Sequence, residues 1–235
     1  MIKFHDQLYA FTGDSNAERY DPVFDSWASL KSLTLSYTKR AAVVRGQIYA
    51  INVDIRAKKT TIERFDVGLR SWETVLLSDE GYRGNSCVVA AGNCLYVLGG
   101  QHLQKYGQEV ATSERFDTVQ NKWEEIADMQ EKRECAFGVA TQGKIFVAGG
   151  RGPVSKTCEV YNISTNEWQF IGSLNVPCFG EVWCVLMEHC MYWVAHGMST
   201  PLKVMIQQRM NGPRRLPYQW TRSPKKRIVL LKAVH

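Results

Sequence analysis

The feature that most constrains this chain is a spacing of nine residues between a glutamate and a tryptophan, which occurs four times. Tryptophan is a rare residue, so four equal spacings indicate an internal repeat. The glutamates lie 47 residues apart on average, and self-similarity at such a period is typical of units that stack side by side. The four units are Glu18-Arg19-Tyr20-Asp21 with Trp27, Glu63-Arg64-Phe65-Asp66 with Trp72, Glu114-Arg115-Phe116-Asp117 with Trp123, and Glu159-Val160-Tyr161-Asn162 with Trp168.

Each period predicts four short β-strands, so the expected fold class is all-β. A strand of small and apolar residues comes first, a tight turn at Gly46, Gly92 or Gly143 follows, and a second apolar strand comes next. The glutamate motif forms the third strand, and the tryptophan opens the fourth. The first strands are 41–44, 87–91 and 136–140, the second strands are 47–50, 94–98 and 144–148, and the links before tryptophan hold Asp25, Asn121 or Asn166, which suit turns.

The second strands are apolar at successive positions, which indicates burial on both faces. A blade of a β-propeller is covered in this way by its two neighbours. Small residues in the first strand suit the crowded axis, and the large rings of the later strands suit the space where blades diverge. Glycine pairs end two of the second strands, where the chain needs positive φ or a close backbone approach. We therefore assign structural roles to Trp27, Trp72, Trp123 and Trp168, and to Gly99, Gly100, Gly149 and Gly150.

The glycine pairs, the Glu-x-(Tyr/Phe)-(Asp/Asn) strands and the spaced tryptophans resemble kelch repeats. Two of the linkers into first strands also resemble those of the BTB-kelch (kelch-like) family. These linkers contain Arg83 and Met129-x-x-x-Arg133. The resemblance covers roughly residues 1–198, although the double glycine is missing at Thr12-Gly13, at Asn52-Val53 and at Ala195-His196-Gly197. It implies a kelch-type β-propeller of about four four-stranded blades and the start of a fifth.

The same resemblance implies a non-catalytic protein-interaction module. In kelch-like adaptors of cullin-RING E3 ubiquitin ligases, such a module recognises the substrate. Contact with cullin-3 would need a BTB domain, which we do not find in these 235 residues. A cytoskeletal, actin-associated kelch scaffold is the alternative.

The repeat pattern stops before the end of the chain. A fifth unit begins with apolar strands at 182–186 and 191–194, but no further glutamate motif follows. The residue nine before Trp220 is Asn211, and Pro213 would interrupt a central strand. We therefore predict that the repeats begin and end at a second strand, and that 199–235 is a basic tail outside them. Because propellers of this family usually have six blades, we expect an incomplete propeller from a longer protein.

The net charge of +6 belongs to the tail and not to the repeats. From His196 onward there are nine Lys or Arg and no Asp or Glu, which leaves the preceding residues at −3. Lys225-Lys226-Arg227 resembles a nuclear-localisation or nucleic-acid patch, so nucleic-acid contact is a second alternative function. Only two aromatic residues, Tyr218 and Trp220, lie near these basic residues. Binding of single-stranded nucleic acid usually needs more aromatic side chains on which bases can stack, so it has little support.

The sequence offers no catalytic or metal-binding constellation. The five histidines have no paired spacing, so we expect no enzyme activity, metal or cofactor. The seven cysteines include no Cys-x-x-Cys pair. Cys87, Cys94 and Cys184 are predicted to be small core residues in a reducing compartment, which favours the cytoplasm, with the nucleus as an alternative. No apolar run is long enough for a transmembrane helix.

A partner-binding surface is predicted on the loops after second strands and on the linkers into first strands. The loops span 52–60, 101–112 and 151–157 and are rich in Arg, Lys and Tyr. Arginine and tyrosine are enriched at interface hot spots, and arginine suits carboxylates, so we expect a peptide-like partner with an acidic segment. The predicted contact residues are Tyr82, Arg83, His102, Lys105, Tyr106, Arg133, Arg151 and Lys156.

Overall fold

The computed structural model describes residues 2–4, 7–11, 17–30, 38–54, 59–66, 68–78, 83–102, 107–175, 177–178, 182–187, 190–195 and 203–206. These residues are all-β except for turns, irregular segments and one 3-10 turn, Gly152–Lys156. The strands are β1 Ile2–Phe4, β2 Gln7–Phe11, β3 Ala17–Asp21, β4 Ser26–Leu30, β5 Thr38–Val44, β6 Gln47–Asp54, β7 Lys59–Asp66, β8 Ser71–Ser78, β9 Arg83–Gly84, β10 Cys87–Ala91, β11 Cys94–Leu98, β12 Gln101–His102, β13 Gln108–Glu109, β14 Ser113–Asp117, β15 Lys122–Ile126, β16 Phe137–Thr141, β17 Lys144–Ala148, β18 Cys158–Asn162, β19 Glu167–Ile171, β20 Val182–Met187, β21 Cys190–Ala195 and β22 Lys203–Ile206.

Four antiparallel sheets of four strands correspond to the four repeats. Their orders are β1-β2-β3-β4, β5-β6-β7-β8, β10-β11-β14-β15 and β16-β17-β18-β19, and we call them blades 1 to 4. A fifth sheet has the order β20-β21-β22, and a small sheet, β13-β12-β9, lies beside blade 3. The predicted propeller of four four-stranded blades and the start of a fifth is therefore confirmed.

Each glutamate-to-tryptophan motif closes the outer half of its blade. The aromatic residue of the third strand lies directly opposite the tryptophan of the fourth strand, because the intervening turn has the same length in every blade. The ring centroids of these cross-strand pairs are 5.2 Å apart for Tyr20–Trp27, 5.1 Å for Phe65–Trp72, 5.4 Å for Phe116–Trp123 and 5.0 Å for Tyr161–Trp168.

The core lies between blades and not within one. Trp123 of blade 3 packs in a cluster with Tyr49 and Ile51 of blade 2, and Trp168 of blade 4 packs with Tyr96 and Leu98 of blade 3. The second strand Cys94–Leu98 is buried along its whole length. Each Å² of apolar surface that is buried stabilises the fold by about 25 cal/mol. Because this surface is buried between blades, each blade depends on its neighbours for stability.

Small residues are required in the first strands. A Cβ at Gly138 would stand 2.5 Å from Val89 Cγ2 and 2.6 Å from Cys87 Sγ, so β16 approaches β10 of the preceding blade closely. The links before tryptophan adopt the predicted left-handed turn conformation, with φ of 47° at Asp25, 53° at Asn121 and 56° at Asn166.

Blade 2 differs from its neighbours because it lacks the double glycine. In blade 3 the second strand ends at Leu98, just before Gly99, whereas in blade 2 it continues through Asn52 and Val53 to Asp54. The third strand of blade 2 pairs along this extension from Lys59. The expectation of a loop over 52–60 is therefore wrong at both ends, because β-branched Val53 continues a strand where a glycine pair would end it.

The strands differ from the predicted repeat pattern at both ends. Ile2–Phe4 pairs with β2, so the repeats begin at a first strand and not at a second one. Lys203–Ile206 pairs with β21, so the boundary predicted at residue 198 divides the fifth sheet. β22 was missed because Val204 and Ile206 occupy the registers that Glu159 and Tyr161 hold in blade 4. The rest of the predicted tail, including Lys225-Lys226-Arg227, lies outside the described residues.

Candidate partner-binding surface

One end of the propeller carries the connections from second to third strands and the linkers into first strands. We call this end the loop face. Blade 2 contributes the extended tip of β6 and β7, blade 3 contributes the small sheet β13-β12-β9, and blade 4 contributes the 3-10 turn Gly152–Lys156. The three blades therefore present different shapes at equivalent positions.

Arg133 lies beneath this face and is fully buried. Its Nη2 stands 2.9 Å from Glu159 Oε1, and Glu159 is also fully buried. Its Nε donates to the same carboxylate at 3.0 Å, its Nη1 donates to the carbonyls of Gly149 and Thr157 at 2.8 Å and 3.1 Å, and its Nη2 donates to Thr157 Oγ1 at 2.8 Å. The guanidinium thus ties the linker to both ends of the loop between β17 and β18.

Arg83 occupies the equivalent position in blade 3. Its Nη2 lies 2.8 Å from Glu114 Oε2, and its side chain is only 5% exposed. Its Nη1 donates to the backbone carbonyl of Thr112 and to Thr112 Oγ1 at 2.7 Å. The ion pair and the two contacts with Thr112 compensate the burial of the guanidinium charge and fix its orientation within the blade.

The prediction that Arg83 and Arg133 contact a partner is therefore wrong. Both guanidinium groups face inward and use their donors on residues of their own blade. The sequence motif indicated linker positions correctly, but it did not show which way the side chains point. The glutamates of the third and fourth repeats, Glu114 and Glu159, supply the carboxylates that pair with these two arginines.

The fifth sheet replaces this ion pair with apolar residues. Gly100 N donates to the carbonyl of Arg133, and Gly150 N donates in the same way to the carbonyl of Cys178. Cys178 therefore takes the arginine position, and Val204, which lies opposite Trp193, takes the glutamate position. Both partners change together, so neither charge is left buried alone.

A chain of polar contacts crosses the loop face from blade 3 to blade 4. Asn85 Nδ2 donates to Gln101 Oε1 at 3.3 Å and to Glu134 Oε2 at 3.2 Å. The other oxygen of Glu134 lies 3.1 Å from Nη1 of Arg151, whose side chain is 65% exposed while that of Glu134 is 2% exposed. We call these four residues the polar arc. A buried carboxylate here anchors an exposed guanidinium.

A crevice opens where blade 2 meets blade 3. Arg40 Nε donates to the carbonyl of Ser86 across this boundary at 3.0 Å. The crevice has a volume of about 20 Å³, which leaves room for about one water molecule and not for a side chain of a partner. The lining residues are Arg40, Ile51, Val53, Arg83, Asn85, Ser86 and Val88.

The remaining predicted contact residues divide into two groups. Lys156 ends the 3-10 turn and is exposed, and His102 is half-buried on β12 with Nδ1 enclosed and without a hydrogen-bond partner. Tyr82, Lys105 and Tyr106 lie outside the described residues. Sequence reasoning missed Asn85, Gln101 and Glu134, although Asn85 stands two residues after Arg83 and Glu134 stands directly after Arg133.

Metal centres and membrane spans are two further classes of site, considered for the part of the chain that the structure describes. No three His, Cys, Asp or Glu residues there are grouped so that they could hold a metal ion. No helix within the same ranges has the length and apolar character to cross a membrane.

Comparison with known proteins agrees with the repeat geometry. The profile of the Kelch motif matches residues 82–130 and 132–175, which are blades 3 and 4 with their linkers. Residues 82–130 and 132–175 are thus two kelch repeats. The chain is 29% identical to Kelch-like protein 23 of Homo sapiens over 167 residues, which is 67% of this chain and 28% of that protein. It is 34% identical to human Kelch-like protein 33 over 98 residues, 41% of this chain and 18% of that protein.

The chain thus matches less than a third of the length of these curated relatives. The spermatocyte protein spe-26 of Caenorhabditis elegans is 28% identical over 181 residues, 72% of this chain and 31% of that protein. Among solved structures, that of YjhT superposes with a TM-score of 0.68 at 14% identity, covering 97% of this chain and 82% of YjhT. At that identity the likeness supports the fold alone.

Proposed function

We propose that the loop face binds a protein partner, and that the chain acts as the substrate-recognition part of a kelch-like adaptor for a cullin-RING E3 ubiquitin ligase. The Kelch motif match and the similarity to Kelch-like proteins 23 and 33 support this proposal. Recruitment of cullin-3 would be the task of a BTB domain encoded outside these residues. The role of this chain is binding and not catalysis, in the cytoplasm or the nucleus.

The anchored side chain of Arg151 is the observation that carries the proposal. Glu134 is almost completely buried, yet it holds a guanidinium that is 65% exposed. Fixing the guanidinium lowers the entropy that a partner must remove on binding. Its remaining N–H groups can take a carboxylate in a forked contact. Lys156 is exposed five residues later, so the turn presents two positive charges to an acidic segment.

Charge reversal on the loop face tests the site. We expect Arg151→Glu with Lys156→Glu to weaken binding of acidic peptides by at least about tenfold, since interface charge pairs contribute on the order of 1.4 kcal/mol or more. Binding would be measured by fluorescence anisotropy against a panel of Asp- and Glu-rich peptides and their Asn and Gln counterparts. Equal affinity of the reversed variant would exclude Arg151 and Lys156 as the recognition residues.

A matched control reverses two exposed lysines at the opposite end of the blades. Lys122 begins β15 and Lys144 begins β17, and both lie beside turns that face away from the loop face. Lys122→Glu with Lys144→Glu changes the net charge by the same amount. An equal loss in this control would mean that overall charge, and not the loop face, attracts the peptides.

The ligase role requires a separate experiment on the parent protein. We expect the parent to co-precipitate cullin-3, and Arg151→Glu to lower ubiquitination of the captured partner without changing cullin-3 recovery. Co-sedimentation with actin filaments, without cullin-3, would favour the scaffold alternative instead. Salt-sensitive nucleic-acid binding that needs Lys225-Lys226-Arg227 would favour the second alternative.

A further inference from the structure

Glu134 holds Arg151 through its side chain and through its main chain. Its Oε1 lies 3.1 Å from Arg151 Nη1, and its backbone carbonyl accepts the N–H of Arg151 at 2.9 Å. Its Oε2 accepts Asn85 Nδ2 at 3.2 Å. Both oxygens of Glu134 therefore face groups that can only donate, so these contacts are made by a carboxylate anion.

The two charges of this pair differ in their contact with water. The side chain of Glu134 is 2% exposed, whereas that of Arg151 is 65% exposed. Water and salt screen an exposed charge well and a buried charge much less. The negative charge of Glu134 therefore acts on any group that binds the exposed N–H groups of Arg151.

A ligand oxygen bound to Arg151 lies close to this buried charge. The guanidinium is a small rigid plane, and Glu134 already occupies one side of it. An oxygen that accepts from another of its N–H groups at about 2.9 Å is then within about 8 Å of the Glu134 carboxylate, which is one Debye length at physiological ionic strength. Salt therefore leaves part of the repulsion in place.

The surrounding charges do not reward a doubly charged ligand. Arg151 and Glu134 together carry no net charge, so repulsion from Glu134 offsets much of what a second ligand charge would gain. Glu109, which pairs with Gln101 in the small sheet, adds another carboxylate beside the polar arc. Exposed Lys156 attracts every anion and does not distinguish between them. A dianion also loses more hydration on binding than a monoanion.

We propose that Glu134 makes the loop face selective for carboxylates over phosphates. The inference rests on the proposed binding of an acidic segment at Arg151. A carboxylate is planar, carries one charge and takes two N–H groups in a forked contact. A phosphoserine carries about −1.5 to −2 charges at pH 7 and meets the repulsion of Glu134. The partner is then recognised by Asp or Glu in its sequence, and a phosphorylated serine does not replace them.

Three versions of one peptide test the selectivity of the natural chain. An Asp-rich peptide is compared with versions in which every Asp is replaced by phosphoserine or by asparagine, using fluorescence anisotropy at physiological salt. We expect the Asp version to bind at least about fivefold more tightly than the phosphoserine version. Equal or tighter binding of the phosphoserine version overturns the inference alone. Binding of the Asp version no tighter than that of the Asn version overturns the proposed function, and the inference with it.

The variant Glu134→Gln removes the charge and keeps the size of the side chain. We expect the preference for the Asp version to fall at least about fivefold, because the phosphate no longer meets a buried carboxylate. The ratio of the two affinities is the readout, since a general loosening of Arg151 would weaken both peptides together. The matched control is Glu167→Gln, which removes an exposed carboxylate at the start of β19.

An unchanged preference in Glu134→Gln overturns the inference, as does an equal change in Glu167→Gln. Thermal melting of both variants shows whether the fold is retained. If Glu134→Gln does not fold, the preference of the natural chain decides.

Discussion

Arg133 and Glu159 form an ion pair with no exposed surface, and the two residues belong to segments 26 positions apart. Glu159 also accepts the backbone N–H of Gln130 at 2.7 Å and of Glu131 at 3.3 Å. The carboxylate therefore fixes the path of the linker into blade 4 as well as its arginine. A charge this deeply buried is tolerated because an arginine and two backbone N–H groups all donate to it.

Replacing Arg133 with methionine should destabilise the protein by about 3–5 kcal/mol, because an uncompensated carboxylate would stay buried. The matched control is Arg115→Met. Arg115 pairs with Glu124 at 2.6 Å, but the side chains are 34% and 31% exposed, so water screens the pair and we expect less than about 1 kcal/mol. Urea denaturation measures the free energy of unfolding of both variants. Similar losses in the two variants would show that burial does not govern the Arg133 pair.

Removing both partners should cost less than the sum of the two single changes. The double variant Arg133→Met with Glu159→Val imitates the fifth sheet, where Cys178 and Val204 stand at these positions. An apolar pair leaves no lone buried charge, so we expect a favourable coupling on the order of 2 kcal/mol in a double-mutant cycle. Strictly additive losses would mean that the backbone contacts dominate.

Alanine at Gly149 should be far more disruptive than alanine at Gly143. Both glycines have positive φ, 67° and 73°, so each change carries a backbone cost of about 1 kcal/mol. Only at Gly149 would the new Cβ collide with a backbone atom, the carbonyl oxygen of Cys178. We expect Gly149→Ala to lower the free energy of unfolding by at least about 2 kcal/mol more. Equal losses in urea denaturation would exclude the close approach.

The buried thiols should react slowly with iodoacetamide at pH 8. Burial raises the pKa of Cys87 to about 12 and, with a smaller effect of the neighbouring Cys158, that of Cys178 to about 11. Because a raised pKa keeps a thiol protonated below that value, little nucleophilic thiolate is present. Half-buried Cys135 should be modified first among the five cysteines whose side chains the structure describes, which are Cys87, Cys94, Cys135, Cys158 and Cys178. Site-resolved mass spectrometry checks the order, with urea-unfolded protein as control.

The repeat could be predicted from the sequence because it depends on local rules. The turn between the third and fourth strands has one length in every repeat, so a single glutamate-to-tryptophan spacing fixed register and fold together. Trp168 also donates its indole N–H to the carbonyl of Ala127 in the preceding linker at 2.8 Å. A tryptophan that both packs across the strands and bonds the linker is needed at one fixed position, so the sequence shows it at a constant spacing.

The surface could not be predicted in the same way, because orientation depends on what packs against a side chain. Arg133 and Arg151 looked alike in sequence as loop cations, yet one is fully buried and the other is 65% exposed. Glu134 was not predicted as part of the site, because an acidic residue next to an arginine is common in sequences and indicates no particular role. The strand Lys203–Ile206 was missed because its pairing partner, and not its own pattern, makes it a strand.

The linker residue Arg133 serves two blades at once, since its carbonyl accepts Gly100 N of blade 3 while its guanidinium holds Glu159 of blade 4. Inserting or deleting one residue beside it would therefore shift one attachment relative to the other. The connections between second and third strands also accept backbone hydrogen bonds from the next linker, at Val110 and Ala111 and at Ser155 and Lys156. Their outer turns are less constrained: an added Cβ at Gly152 would meet open space, so added residues there would disturb fewer contacts. Variation in length during evolution, and grafting by design, should accordingly concentrate in those connections and spare the linkers.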